Sequence, residues 1–241
     1  MKTCILYLRK LILVCGSLMA LSSCGKEQPL TLETYDHMDS LVYKAVDTPF
    51  GLTYTQWISE WIKDVPGNSC DNQVNSVEFA TLDSSSHVNF LISSTGMTCY
   101  RNVTIPSGTA ILFPLVISIK TYPCPMEHEP DPEQSVEDFL KINAAKYIDN
   151  VKSLSITLDD MPYRKTYQYR FVTPSFEIFN NHMLGNCFDA CILANQAQHA
   201  VADGYWIMLK PLEPGEHTLT FKAEVNGYGV VTDITYHIIV Q

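Results

Sequence analysis

The sequence has 241 residues, of which 46% are hydrophobic, and its 26 acidic and 16 basic residues give a net charge of −10. This hydrophobic content is sufficient for a packed core and excludes a disordered stalk. An acidic chain without basic clusters also excludes electrostatic binding to nucleic acid or to anionic lipid headgroups.

The amino terminus has the pattern of a secretory signal peptide. Three basic residues, Lys2, Arg9 and Lys10, precede an apolar run from Leu11 to Leu21. That run is about half of the roughly 20 residues that a helix needs to span a bilayer, whereas it matches the apolar core of a signal peptide. We therefore expect residues 1–23 to be removed on export.

The end of this leader also predicts a lipid anchor in the cell envelope. The sequence Leu21-Ser22-Ser23-Cys24 resembles a bacterial lipobox, whose cleavage leaves the cysteine as the lipid-bearing first residue. The alternative is an ordinary signal peptide that contains a cysteine. Acyl chains on Cys24 would hold the protein at a membrane, and Gly25, in place of an acidic residue, favours the outer membrane over the inner one. Residues 24–48 are polar and unpatterned, as expected of a tether.

The remaining residues, 49–241, are expected to form one domain that begins with a helix over residues 53–65. Thr53 and Gln56 have the spacing of a capping box, and Pro66-Gly67 ends the helical pattern. One apolar helical stripe contains Tyr54, Trp57, Ile58, Trp61 and Ile62. Since the tryptophans share this stripe with isoleucines, we expect them to pack in the core.

After this helix the pattern changes to strands. The segments "HVNFLIS" (87–93) and "GTAILFPLVISI" (108–119) are rich in β-branched and aromatic residues, and "IPSG" (105–108) is typical of a turn. A second helix is predicted to open at Asp131-Pro132. Its predicted inner face comprises Val136, Phe139, Leu140, Asn143 and Tyr147.

Most of the remaining chain is predicted to be β-strand. Asn226-Gly227 between two alternating runs is a strong hairpin signal, and the alanine-rich segment "CFDACILANQAQHAVADG" (187–204) is predicted to contain a short helix. The predicted strands are "SLSITLDD" (153–160), "TYQYRFV" (166–172), "YWIMLKPL" (205–212), "EHTLTFKAEV" (216–225) and "DITYHIIV" (233–240). This pattern predicts a mainly β fold, an antiparallel immunoglobulin-like or jelly-roll-like β-sandwich with two or three peripheral helices.

Several of these segments together resemble a family of exported bacterial proteins and lipoproteins for which no activity is known. The matching segments are "LTYTQWISEW" (52–61), "TCYRNVTIPSGTAILFPL" (98–115), the "LD" turn at Asp159 and "VADGYWIMLKPLEPGEHTLTF" (201–221). Family members often carry more tryptophan in the first helix. The resemblance implies one fold over most of residues 50–240 and implies no particular chemistry.

The cysteines predict disulfide bonds, which are the usual state of cysteine in an exported protein. Beyond Cys24 the chain contains Cys70, Cys99, Cys124, Cys187 and Cys191, an odd number that leaves at least one thiol unpaired. Cys70 and Cys99 flank the first strands and are predicted to pair, with two separate buried thiols as the alternative. Cys187 and Cys191 are predicted to form a local disulfide. Separate or otherwise paired thiols are one alternative, and a zinc site with His182 and His199 is another.

An acidic loop is the other candidate for metal binding. The segment "EHEPDPE" contains Glu127, His128, Glu129, Asp131 and Glu133, and carboxylates of this kind bind hard cations such as calcium. The spacing matches no calcium-binding loop, so we expect a solvated loop. We predict no bound metal and no cofactor.

No catalytic motif is present. The sequence lacks G-x-S-x-G and H-E-x-x-H. Asp159, Asp203 and His217 lie near predicted turns and could converge in a hydrolase or a metal-dependent enzyme. Each also has a structural interpretation, the aspartates as turn residues and the histidine as a hydrogen-bond donor, so we assign no catalytic residue.

The aromatic residues allow a second interpretation, because flat rings also stack on sugars. Trp206, like Trp57 and Trp61, lies in an apolar segment and is expected in the core rather than on a sugar-binding surface. We therefore expect a lipid-anchored envelope protein that binds a glycan or another envelope protein. The alternative is an enzyme that uses Asp159, Asp203 and His217.

Overall fold

Alternating apolar and polar residues form most of the strands in this protein. The structure, a computed structural model, describes residues 38–64, 87–94, 96, 98–125, 129–179, 191–193 and 195–241. Its strands are β1 (Val88–Phe90), β2 (Thr98–Ile105), β3 (Ala110–Tyr122), β4 (Val151–Leu158), β5 (Met161–Pro162), β6 (Arg170–Val172), β7 (Phe176–Phe179), β8 (Ala197–Leu209), β9 (Gly215–Val225) and β10 (Gly229–Val240). The predicted mainly β fold is confirmed.

These strands form two five-stranded sheets that pack face to face. Sheet A has the order β1-β3-β8-β6, with β7 also paired to β8, and sheet B has the order β2-β10-β9-β4-β5. In the core between them, the ring centroids of Phe113 and Phe221 lie 4.7 Å apart. The pairing is not wholly antiparallel, because β1 runs parallel to β3 and β2 runs parallel to β10. Hairpin signals cannot predict these two pairs, since each joins strands that are not linked by a tight turn.

Helix α1 (Tyr54–Asp64) forms where the sequence predicted it. The N–H of Thr53 donates to Gln56 Oε1 (2.8 Å) and the N–H of Gln56 donates to Thr53 Oγ1 (3.3 Å), so the capping box is confirmed. All five residues of its apolar stripe are buried. The predicted stop at Pro66-Gly67 lies outside the described residues.

Helix α2 (Val136–Ile148) begins later than predicted. Ser135, rather than Asp131-Pro132, caps its first turn by accepting a backbone N–H. Its buried residues are Leu140, Ala144 and Ile148, so only Leu140 of the predicted inner face is buried. The helix packs against β3 and β8, and this contact selects a face with the small Ala144 in the middle. Phe139 and Tyr147, which the sequence pattern placed on the inner face, are only partly buried.

Sheet A lies between α1 and sheet B. Phe113 of β3 pairs with Ile207 of β8 and faces sheet B. The adjacent Trp206 therefore faces the other way, and its ring packs edge-on against Trp61 of α1, with centroids 5.1 Å apart. Because both faces of β3 and β8 are covered, these strands are almost continuously buried.

One local prediction was wrong, and a second differs from the structure over the residues that the structure describes. Residues 166–169 of "TYQYRFV" form a 3-10 helix, and only Arg170–Val172 form a strand. The alanine-rich segment is not helical from Ala197 onward but forms the first half of β8, paired with β3. Pairing with a distant strand overrides the helix propensity of alanine there. The hairpin at Asn226-Gly227 is confirmed, since these residues join β9 to β10.

Candidate functional site

Two of the three candidate catalytic residues, Asp159 and His217, meet at one end of sheet B. Asp159 follows β4 with a positive φ of 49°, and His217 is near the start of β9. A 2.7 Å hydrogen bond joins His217 Nδ1 to Asp159 Oδ2, and the N–H of Thr218 donates to Asp159 Oδ1 at 2.7 Å. The carboxylate thus ties the turn after β4 to β9.

The same hydrogen bonds favour the protonated form of the imidazole. His217 Nε2 lies 2.9 Å from the carbonyl oxygen of Glu213, and both this oxygen and the carboxylate of Asp159 can only accept hydrogen bonds. Burial by itself lowers the pKa of His217, but the hydrogen bonds to Asp159 and Glu213 outweigh it and raise the pKa. When protonated, the imidazole donates to both acceptors and has no free lone pair for a general base, so these contacts favour a structural role for the pair.

The third candidate, Asp203, takes part in a separate ion-pair network. Its side chain is fully buried in β8 and accepts two hydrogen bonds from Arg170, from Nε at 2.9 Å and from Nη2 at 2.6 Å. Arg170 Nη1 also pairs with Asp149 at 2.7 Å. The hydrogen bond and charge of Asp203 raise the pKa of Arg170. Arg170 of β6 therefore joins β8, through its bidentate contact with Asp203, to the end of α2, through Asp149.

The predicted three-residue cluster therefore does not assemble. Asp149, which shares Arg170 with Asp203, precedes β4, and Asp159 follows β4. An eight-residue strand is roughly 26 Å long. The Asp203 network and the Asp159–His217 pair thus lie toward opposite ends of β4, too far apart to act on one substrate. Asp159 is a turn residue and His217 is held by structural hydrogen bonds, as the structural interpretation predicted. The turn predicted at Asp203 is wrong, because this residue lies within β8 and pairs with β3.

Cys191 forms a disulfide, but not with the predicted partner. It is bonded to Cys124, 67 residues away in the sequence, so the local pairing with Cys187 is wrong. Tyr122 at the end of β3 pairs with His199 near the start of β8, and this register brings the segments just outside both strands together. Cys99 is buried, and its predicted partner Cys70 lies outside the described residues, so that pairing stays a prediction.

The disulfide also removes the proposed zinc site, because Cys191 is no longer available as a thiolate ligand. His182 and Cys187 lie outside the described residues, as do Glu127 and His128 of the acidic loop. In the part of that loop that the structure describes, Glu129 Oε2 accepts a hydrogen bond from the hydroxyl of Tyr122 at 2.6 Å. No group of three or more potential metal ligands occurs among the described residues.

The three tryptophans are core residues, as predicted. Trp57, Trp61 and Trp206 are buried. The indole N–H of Trp57 donates to the carbonyl of Pro49 (2.8 Å), and that of Trp61 donates to the carbonyl of Leu91 (2.9 Å). They therefore do not form a sugar-binding platform.

The surface that does resemble a binding face is the outer face of sheet B. In β2 the inward residues are buried and the outward residues are exposed along its whole length. Neither α1 nor α2 makes an extensive contact with the strands of sheet B. Rows of hydroxyl side chains cross this face, among them Thr104, Ser155, Thr157, Thr218, Thr220 and Thr235.

Four side chains at the edge of this face form a quartet with varied chemistry. Tyr100 of β2 lies beside Thr235 of β10, and Asn102 lies beside His237. Tyr100 is 71% exposed. The spacing of residues within and between strands places the four within roughly 7 by 5 Å. We call Tyr100, Asn102, Thr235 and His237 the outer quartet.

The sequence-based search for sites missed this quartet, and it also missed Arg101 on the opposite side of β2. The signal was present in "TCYRNVTI": if Cys99, Val103 and Ile105 face inward, Arg101 must as well, and Tyr100 and Asn102 must face outward. An arginine in the inward register of an alternating strand is unusual enough to identify a candidate site.

The lipid-anchor predictions cannot be compared with this geometry, because the leader and Cys24 lie outside the described residues. Among the described helices, none has the length and apolar character to cross a membrane.

No model of a known protein family matches the sequence, and no curated protein matches it either. Among solved structures, the cysteine protease inhibitor EhICP2 from Entamoeba histolytica is similar over 64% of this chain and 98% of its own, with 9% identity and a TM-score of 0.24. PbICP-C, solved in complex with falcipain-2, matches the same shares at 9% identity and a TM-score of 0.23. Likeness at this level carries no argument about function. The resemblance to exported bacterial proteins stays a prediction.

Proposed function

We propose that this protein is a lipid-anchored protein of the cell envelope whose sandwich binds glycan through the outer quartet of sheet B. The observation that carries the proposal is the grouping of an exposed aromatic ring and an exposed amide with a partly exposed hydroxyl and imidazole on one face of sheet B. An aromatic face stacks on the C–H face of a sugar, and the other three groups can donate to and accept from sugar hydroxyls.

The quartet also has a suitable size and rigidity. Its four side chains lie on paired strands, β2 and β10, whose inward residues are anchored in the core. A patch of roughly 7 by 5 Å is comparable to one sugar ring. Groups held by a sheet lose little conformational freedom on binding, which favours the binding of a small ligand.

The cysteine chemistry supports the proposed location. A disulfide such as Cys124–Cys191 is usual in an oxidising compartment outside the cytosol and rare inside it. In this proposal the acyl chains on Cys24 are the attachment to the membrane, with the outer membrane favoured by Gly25.

Binding to glycan is tested by co-sedimentation of the purified protein with insoluble cell-wall polysaccharides and peptidoglycan. Tyr100→Ala is the test variant, and Tyr228→Ala is the matched control, since Tyr228 is 68% exposed in the β9–β10 turn, away from the quartet. We expect at least a tenfold loss of binding for Tyr100→Ala and none for Tyr228→Ala. Equal binding by both variants, or capture of an envelope protein with no glycan bound, would contradict the proposal.

The anchor is tested separately by metabolic labelling with palmitate. We expect label on the wild-type protein in the membrane fraction and none on Cys24→Ala. An unlabelled, unprocessed wild-type protein inside the cell would overturn the proposed location while leaving the glycan test unaffected.

A further inference from the structure

Arg101 is a buried cation that the described part of the chain does not neutralise. It projects inward from β2 and is only 3% exposed. Its Nη1 donates to the hydroxyl of Tyr236 (3.0 Å), and its guanidinium carbon lies 5.9 Å from the centre of the Tyr236 ring. Its Nη2 is buried and has no hydrogen-bond partner.

The neighbouring polar groups cannot supply the missing acceptor. The Tyr236 hydroxyl donates to the carbonyl of Ile92 (2.8 Å) and accepts from the N–H of Ile92 (3.2 Å) as well as from Arg101. One donated and two accepted hydrogen bonds exhaust a hydroxyl. In this network of described residues, the buried Nη2 of Arg101 has no hydrogen-bond partner.

The unpartnered nitrogen belongs to a permanent charge. Arginine stays protonated in proteins, and an isolated buried charge is strongly unfavourable unless it is paired. Arg170 illustrates the usual solution, because it contacts the carboxylates of both Asp149 and Asp203. None of the described carboxylates forms such a pair with Arg101.

We propose that Arg101 binds a small carboxylate anion through Nη2, in a site at the β2 edge of the sandwich. The site lacks a hydrogen-bond acceptor and one negative charge, and a carboxylate supplies both. Since Arg101 offers a single positive charge, a monoanion leaves the buried site neutral, whereas sulfate or the phosphate dianion would leave a net negative charge. Water would satisfy the hydrogen bond but not the charge.

We expect the ligand to enter at the β2 edge of the sheet. Among the described strands β2 pairs only with β10, so it is an edge strand of sheet B. Because Arg101 is only 3% exposed, we expect a small ligand, with no more than one or two carbon atoms beside the carboxylate. This site is independent of the proposed glycan face, because the outer quartet lies on the opposite side of β2.

The test measures the thermal unfolding midpoint of the full-length chain against sodium formate or acetate, at constant pH and with sodium chloride keeping ionic strength constant. We expect a saturable rise in the midpoint, because a ligand that binds only the folded state stabilises it by mass action. Sulfate and phosphate provide the dianion comparison. Their general salting effect should be the same in all variants.

The test variant is Arg101→Met, and the matched control is Lys152→Met, which removes a largely exposed cation from β4 of the same sheet. We expect Arg101→Met to lose the carboxylate-dependent rise and Lys152→Met to keep it. An equal rise in wild type and Arg101→Met would overturn the proposal, as would an equal Arg101-dependent response to chloride.

A direct measurement covers the case in which Arg101→Met does not fold. Titration of wild type and Arg101→Lys with ¹³C-labelled formate, followed by NMR, should show saturable binding to wild type. It should also show at least tenfold weaker binding to the lysine variant, whose ammonium lacks the planar arrangement of donors. Absence of saturable binding to the wild type would overturn the proposal.

Discussion

Sheets A and B differ in what covers their faces, and this difference separates stability from binding. The central strands of sheet A pack against α1 on one face and against sheet B on the other, and α2 also packs against them. Its buried Asp203 is fully paired with Arg170. Sheet B instead exposes an outer face, and the buried Arg101 on its inner face lacks a counter-charge. We infer that sheet A stabilises the fold and that sheet B provides the surfaces available to ligands.

The strongest test of this contrast is in the contact between α1 and sheet A. Trp61→Ala should destabilise the protein by about 4 to 5 kcal/mol, because it leaves a cavity beside Trp206 and removes the hydrogen-bond donor of the buried Leu91 carbonyl. Urea unfolding measures the change. Trp61→Phe, which keeps part of the volume, should lose less. A loss below about 1 kcal/mol for Trp61→Ala would show that α1 is peripheral.

The disulfide that joins the ends of β3 and β8 should have the next largest effect. Replacing Cys124 and Cys191 together by serine removes a cross-link across 67 residues and should cost up to about 4 kcal/mol in the chain-entropy model. Urea unfolding of the double variant should resemble that of reduced wild type. An unfolding midpoint equal to that of oxidised wild type would show that the cross-link does not stabilise sheet A.

The buried ion pair of sheet A should also be sensitive to loss of one partner. Asp203→Ala leaves Arg170 with only Asp149 and should cost about 3 kcal/mol, the lower end for a broken buried pair because Arg170 is partly exposed. The double variant Asp203→Leu with Arg170→Met, which removes both charges, should recover part of this loss in chemical denaturation. No difference between the single and double variants would argue against a charge-based effect.

The Asp159–His217 pair predicts a pH-dependent effect of at most about 1 kcal/mol, typical of partly exposed pairs. The pKa of His217 is raised in the folded state. Its contribution should therefore be complete below the unfolded pKa of about 6.5 and decrease as the pH rises through the folded pKa. The stability difference between wild type and His217→Gln, measured by denaturation at several pH values, should shrink with increasing pH. A difference that grows with pH would contradict the assignment of an imidazolium.

The smallest effect is expected on the outer face of sheet B. Asn102→Ala removes an exposed side chain and should change the free energy of unfolding by about 0.5 kcal/mol or less. If the quartet binds glycan, the same variant should weaken that binding while its unfolding curve stays unchanged. A large loss of stability would mean that this face is structural.

Sequence periodicity was sufficient for the local elements. The capping box at Thr53, the apolar stripe of α1 and the hairpin at Asn226-Gly227 are all formed as predicted. These features depend on interactions between residues only a few positions apart, so the sequence pattern is sufficient to predict them. The same applies to the burial of Trp57 and Trp61.

Only the tertiary structure decided the features that depend on distant residues. The pairing of β8 with β3 converted an alanine-rich segment into a strand and brought Cys124 to Cys191. It also placed Asp203 far from Asp159 and His217. The predicted turns near these residues gave no information about the distance between them. The alternation of "TCYRNVTI" already implied that Arg101 faces inward. Whether a carboxylate of the protein lies beside Arg101 depends on which strands surround it. Those neighbours are determined by tertiary packing and not by the local sequence.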